Sequence, residues 1–178
     1  VVSHTYELLF IDEIINHIKK YKFEEIPPIA IYYQIYLTLV ETENEEHYFR
    51  LKDLLKKHGL VFPIDEAQGI YEHALNYCVR HINKGSHRFL VEYFYVYEDL
   101  LEKEIIFTDG ELAPLHFKNI IVIALRLGKY DWTEYFINKF KHRLPDSARE
   151  NAVTFNLARL YIKKKKYDKV IELLREVE

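Results

Sequence analysis

The residues best equipped for chemistry are nine histidines, one cysteine and 28 carboxylates, and the first question is whether any of them can share a site. His73, Cys78 and His81 form the tightest group, and a thiolate with two imidazoles would suit zinc. Cys78 and His81 share a helix face, but five helical residues carry His73 roughly 140° around the axis from Cys78. The three cannot converge on one ion without a ligand from a second helix, and none is evident. A buried thiol beside ordinary polar-face histidines is the plainer reading. No His-Glu-x-x-His occurs, and no Glu stands three residues before any histidine, which removes the Glu-x-x-His element of di-iron bundles. Gly-x-Ser-x-Gly, glycine-rich phosphate loops and paired Cys-x-x-Cys are also absent. The scattered carboxylates single out no general acid and base. The expectation is a chain with no catalytic residue, no cofactor and no metal, and not an enzyme.

The unusual resource is aromatic, with 15 Tyr and 11 Phe. Phe89, Leu90, Val91, Tyr93, Phe94, Tyr95, Val96 and Tyr97 follow one another with only Glu92 interrupting. A helix that is apolar around most of its circumference must be covered on several sides. It reads first as a central core helix with tyrosine hydroxyls at the rim, and second as a groove awaiting a partner. Tyr32, Tyr33 and Tyr36 pose the same choice.

The elements that must position such residues are helices. Pro27-Pro28, Pro63, Pro114 and Pro145 each precede a segment of helical periodicity, and proline suits a first turn because its missing N–H would lack an intrahelical partner there. Leu8, Ile11, Ile14, Ile15 and Ile18 recur at three- and four-residue steps, as do Leu51, Leu54 and Leu55, and Ile120, Ile121, Ala124 and Leu127. The chain divides into an unpaired helix, 4–20, and four helix pairs: 28–42 with 43–57, 64–83 with 86–104, 114–127 with 131–143, and 146–164 with 167–177. That makes about nine helices in an all-α fold. Gly59, Gly85 and Gly128 sit where helices should stop, and Ser86 where a helix should be capped. Leu60-Val61-Phe62 and Ile105-Ile106-Phe107 read as packed linkers rather than sheet. Acidic residues crowd helix starts and lysines crowd helix ends, Lys163 to Lys166 included, which complements the helix dipole without any ligand.

Lys plus Arg is 25 against 28 Asp plus Glu, a net charge of −3, so no global attraction to nucleic acid or an anionic membrane exists. The longest apolar run, Ile120 to Leu125, is too short to cross a bilayer. The single Cys78 excludes an internal disulfide and makes a reducing, cytoplasmic setting the default. Methionine is absent altogether, and the chain is expected to be a piece of a longer protein, with residues 1–178 forming one helical-repeat domain.

Lys129-Tyr130-Asp131 and Lys166-Tyr167-Asp168 are the same tripeptide, 37 residues apart, each at a turn between two helices. Around the second, Leu157-Ala158-x-x-Tyr161 and Val170-x-x-x-Leu174 resemble the tetratricopeptide repeat, and Pro145 stands at the place of that family's closing proline. The resemblance covers residues 114–178 and reaches residues 1–113 only in outline. Thr154 replaces the usual tryptophan, and the spacing is longer than the standard unit. What the resemblance implies is a right-handed stack of antiparallel helix hairpins, an α-α superhelix, with other α-solenoids or a compact bundle as alternatives. It also implies a concave ligand face at Lys118, Val122 and Arg126 in the third hairpin, and at Phe155, Arg159 and Lys163 in the fourth. The family's basic clamp for C-terminal carboxylates is not reproduced, since Val122 and Arg159 stand in place of asparagines.

That mixture of cations and apolar surface suits an acidic or amphipathic peptide, and a solvated charged face is the competing reading. The function expected is a non-enzymatic protein-interaction scaffold, with an RNA-binding helical repeat as the alternative. Val170, Ile171, Leu173, Leu174 and Val177 give the last helix a broad apolar surface. Further repeats or a second copy in a homodimer are expected to cover it.

Overall fold

Proline starts and glycine stops mark out the helices of this chain. The computed structural model describes residues 10–175, and nine α-helices lie among them with one two-stranded hairpin. In chain order the helices are α1 (Ile11–Lys20), α2 (Pro27–Val40), α3 (Glu45–His58), α4 (Ile64–Asn83), α5 (His87–Glu102), α6 (Pro114–Arg126), α7 (Tyr130–Phe140), α8 (Asp146–Lys163) and α9 (Tyr167–Arg175). The fold is all-α, and the helix boundaries follow the expected spans within a few residues, apart from the start expected at residue 4, which lies outside the described residues. Leu8 and Val177 lie outside the described residues. The chain falls into two compact units, Val1–Pro63 and Ile64–Glu178, with the boundary inside the span expected to be one domain.

In the first unit α2 packs on α3. Ala30, Ile31 and Ile35 on α2 and Tyr48, Leu51 and Leu55 on α3 are buried at three- and four-residue steps. Each such side chain contributes about 1.5–3 kcal/mol on full burial. Asn44 caps α3 through its side-chain oxygen, which accepts from the Glu46 N–H at 3.2 Å. α1 has the amphipathic pattern its isoleucines foretell, yet none of its residues is buried and Ile14 is half exposed. Leu60 and Val61 lie in a 3-10 turn and point into solvent, so they are not the packed linker expected of them. Gly59 ends α3 with helical dihedrals, φ −60° and ψ −21°, because the chain tightens directly into that turn instead of reversing through a left-handed residue.

In the second unit α4 packs on α5, α5 on α6, α6 on both α7 and α8, α7 on α8, and α8 on α9. Three of its helices end alike. The Gly85 N–H reaches the Ile82 carbonyl at 2.9 Å and the Ser86 N–H the His81 carbonyl at 3.0 Å. Gly128 and Lys129 repeat this pair of bonds onto Leu125 and Ala124 (3.2 and 2.9 Å), and Lys165 and Lys166 onto Ile162 and Tyr161 (3.0 and 2.8 Å). This is the Schellman termination, which needs a left-handed residue at its centre. Gly85, Gly128 and Lys165 provide it with φ of 91°, 72° and 57°. Ser86 holds the cap position of α5 but makes no side-chain cap bond.

The aromatic helix α5 is core. Phe89, Leu90, Phe94, Val96, Tyr97 and Leu100 are buried, and Tyr95 is the large apolar residue left exposed. Leu90 and Phe94 meet Ile123 and Ala124 of α6, with Ile82, Tyr93, Leu127 and Trp132 closing around them. Trp132 lies flat on Phe136 at 5.3 Å between ring centres and edge-on to Phe94 at 4.7 Å.

The segment after α5 corrects an expectation. Ile105 and Ile106 are buried as a packed linker should be, but Phe107-Thr108 (β1) and Glu111-Leu112 (β2) form an antiparallel hairpin. Asp109 and Gly110 make its turn with φ of 51° and 80°, the two positive values that a tight Asp-Gly hairpin turn demands. Gln68 of α4 donates to the Ile105 carbonyl at 2.8 Å, and Arg143 donates to the Gly110 carbonyl at 3.0 Å while lying 4.5 Å from the Phe107 ring.

Candidate functional site

Pro114 fixes the first turn of α6, and Pro145 precedes the first turn of α8. Arg149 then ties that start down, donating to the Leu144 carbonyl at 2.9 Å and the Lys141 carbonyl at 3.2 Å and pairing with Asp146 at 2.6 Å. The N-terminal halves of α6 and α8 enclose a groove of about 630 Å³ lined by Pro114, Lys118, Ser147, Ala148, Asn151, Ala152, Thr154, Phe155 and Asn156. Its α8 wall is a run of small side chains at three- and four-residue steps, Ser147, Ala148, Asn151 and Ala152, ending at Phe155. Small residues leave room between two helices where leucines would fill it. The lining is mainly apolar, with the exposed Lys118 at one side and Phe155, 56% exposed, at the other.

Of the six residues expected on the ligand face, the structure brings Lys118 and Phe155 into this groove. Arg159 stacks its guanidinium over the Phe155 ring at 4.5 Å and so props the ring. Val122 is half-buried in α6, and Arg126 and Lys163 are exposed outside the groove lining. The small residues of α8 escaped the sequence reading. Their signal was the spacing of Ser147, Ala148, Asn151 and Ala152, which runs along one face into Phe155. Asn156 sits beneath, 2% exposed, donating to the Ala152 carbonyl at 2.8 Å while its side-chain oxygen has no hydrogen-bond partner among the described residues.

Where α8 runs into its turn, a polar clamp sets its position on α7. The Lys164 ammonium lies 2.9 Å from Asp131 and 2.6 Å from Glu134, and Tyr161 donates to Glu134 at 3.4 Å. Hydrogen bonding to the ammonium holds both carboxyls below their ordinary range, and the same bonds raise Lys164 above its own. The basic run 163–166 is therefore not four solvated cations.

Other polar groups have partners inside the fold. Tyr71 donates to Asp99, and Lys103 reaches Asp99 at 2.8 Å and Tyr71 at 3.0 Å, so burial and the neighbouring carboxylate push the Tyr71 phenol up. His116 lies 3.3 Å from the Tyr97 hydroxyl, and burial lowers its pKa. His81 is buried and stacked on Phe89 at 4.3 Å, Cys78 is buried, and His73 is exposed. Among the described residues no group of three or more His, Cys, Asp and Glu is placed to hold a metal ion, and no helix is long and apolar enough to cross a membrane.

Comparison with family models, curated proteins and solved structures finds no match to this chain.

Proposed function

We propose that this chain is a non-enzymatic protein-interaction module of tetratricopeptide-like hairpins, and that the α6–α8 groove takes a short peptide segment of a partner. The observation that carries the reading is the groove itself: an apolar, small-residue floor between two proline-fixed helix starts, flanked by Lys118 and by the Phe155 ring propped on Arg159. Apolar walls with a few oriented polar groups suit a segment with an apolar anchor, and Lys118 favours an acidic residue beside that anchor. The packing of α6 on both α7 and α8, and of α7 on α8, together with the repeated helix termination, supports hairpins packed in series in the second unit, and the right-handed superhelix is what the resemblance adds. The reduced, buried Cys78 suits a cytoplasmic setting.

RNA binding is the lesser reading, since Lys164 is committed to Asp131 and Glu134 and the chain is net acidic. The test is selection of a displayed random-peptide library on the protein, followed by titration of the enriched peptides. Enriched peptides should carry an acidic residue next to an apolar one and lose at least tenfold in affinity on Ala152→Trp, which fills the groove, or on Phe155→Glu. Failure to enrich any peptide, or affinity indifferent to both substitutions, would refute the groove.

A further inference from the structure

The second unit contains its own precedent for how a hairpin is covered. The α6–α7 hairpin is covered by α8, which packs on both helices and places Lys164 between Asp131 and Glu134. Displacing α6–α7 by 37 residues lands on α8–α9: the Lys-Tyr-Asp tripeptide recurs, and Gly128 and Lys165 hold the same left-handed position in the same termination. Asp131, which accepts the Lys164 ammonium, corresponds to Asp168, and both carboxylates are exposed. The side chains around it also correspond, but their burial does not. Leu125 is 7% exposed and its counterpart Ile162 is 50% exposed. Thr133 and Phe136 are buried, whereas Val170 and Leu173 are half-buried. Tyr130 is half-buried, whereas Tyr167 is 58% exposed, and Ile171 beside it is 51% exposed.

From this we infer that the α8–α9 end is a docking surface for an amphipathic helix that carries a lysine near its C-terminal end. The docked helix stands to α8–α9 as α8 stands to α6–α7. Its apolar side covers Ile162, Tyr167 and Ile171, and its lysine pairs with Asp168. The surface is separate from the α6–α8 groove and does not depend on that groove binding anything. Charge complementarity sets the register: α9 offers one carboxylate at the clamp position, with Ile171 where α7 has Glu134. The partner helix therefore needs one cation there and an apolar residue beside it, rather than two cations.

The test uses a fluorescent peptide of residues 146–166, the segment that covers α6–α7, titrated onto the full chain by anisotropy. Saturable binding is expected. It should weaken about fivefold with Asp168→Lys in the protein or Lys164→Glu in the peptide. Combining the two reversals should restore it, and Ile162→Glu should weaken it further than either. Both protein positions are exposed, and unchanged Trp132 emission reports that the fold is kept. Absence of saturable binding, or binding indifferent to Asp168→Lys and unrescued by the paired reversal, would overturn the inference.

Discussion

Lys165 offers a clean test of how the hairpins of the second unit are terminated. It occupies the left-handed position, φ 57°, that Gly85 and Gly128 fill in the two preceding hairpins. For a residue with a Cβ this conformation costs about 1–2 kcal/mol. Glycine removes that cost but has more freedom to lose on folding, which returns about 0.4–1 kcal/mol. Lys165→Gly should therefore be more stable than Lys165→Ala by about 0.5–1 kcal/mol. Alanine is the proper reference because it removes the same charge from the end of α8 while keeping the Cβ. The reciprocal change is Gly128→Ala, where nothing lies within 4 Å of the added Cβ, so no clash adds to the backbone strain at φ 72°. The strain, less the unfolded-state entropy that alanine saves, leaves an expected net loss of about 0.5–1 kcal/mol there. The assay is equilibrium urea unfolding followed through Trp132. It is the only tryptophan of the chain and is packed between Phe94 and Phe136, so its emission reports on the second unit. If Lys165→Gly were no more stable than Lys165→Ala while Gly128→Ala matched wild type, the left-handed terminations would not carry the strain assigned to them.

Three further outcomes follow from the same structure. Lys164→Met should lower stability at neutral pH by about 1 kcal/mol, the upper end for a pair whose cation is mostly covered. The folded-state pKa of Glu134 is depressed, so its contribution is full above the ordinary 4.5 and is lost as pH falls through the folded value. The gap between wild type and variant in urea midpoint should accordingly close in acid, and a gap that persisted would place the stabilisation elsewhere. Phe117 is fully buried against Phe136 at 5.4 Å, and Phe117→Ala should cost about 3–5 kcal/mol by the same urea assay. His116 should titrate below its ordinary 6.5 in an NMR pH series, because burial disfavours the imidazolium. Its folded pKa is the lower one, so its stabilising effect is present above 6.5 and fades as pH falls toward the folded value. A midpoint at or above 6.5 would contradict that environment.

The helices were legible because their signals are local. Prolines at 27, 28, 63, 114 and 145 and glycines at 85 and 128 act on their own backbone, and the isoleucine and leucine spacing acts on one helix at a time. The hairpin at Phe107–Leu112 was equally local, announced by Asp109-Gly110, and was missed because the apolar run before it was weighed without the turn after it. Lys165 was hidden for the opposite reason: a lysine at a left-handed cap has no signature apart from its alignment with Gly128. Of the residues that the resemblance places on a ligand face, Lys118 and Phe155 line the groove. The groove between them was not legible, since it depends on how far apart α6 and α8 stand.

By itself, then, the sequence determined the helices, their order, the repeated Lys-Tyr-Asp turn and the absence of any recognised catalytic or metal-ligand motif. Each is written in residues a few positions apart, where backbone sterics and helical periodicity decide. Tertiary structure decided which apolar faces were covered: α5 on most sides, α1 on none of its residues fully, and Ile162 and Tyr167 left open where Leu125 is buried. It also decided that Lys164, one of four consecutive lysines, is a structural clamp rather than a free cation. The Lys164 pairs join residues 30 and 33 positions apart, and no local pattern encodes such distances or the burial that goes with them.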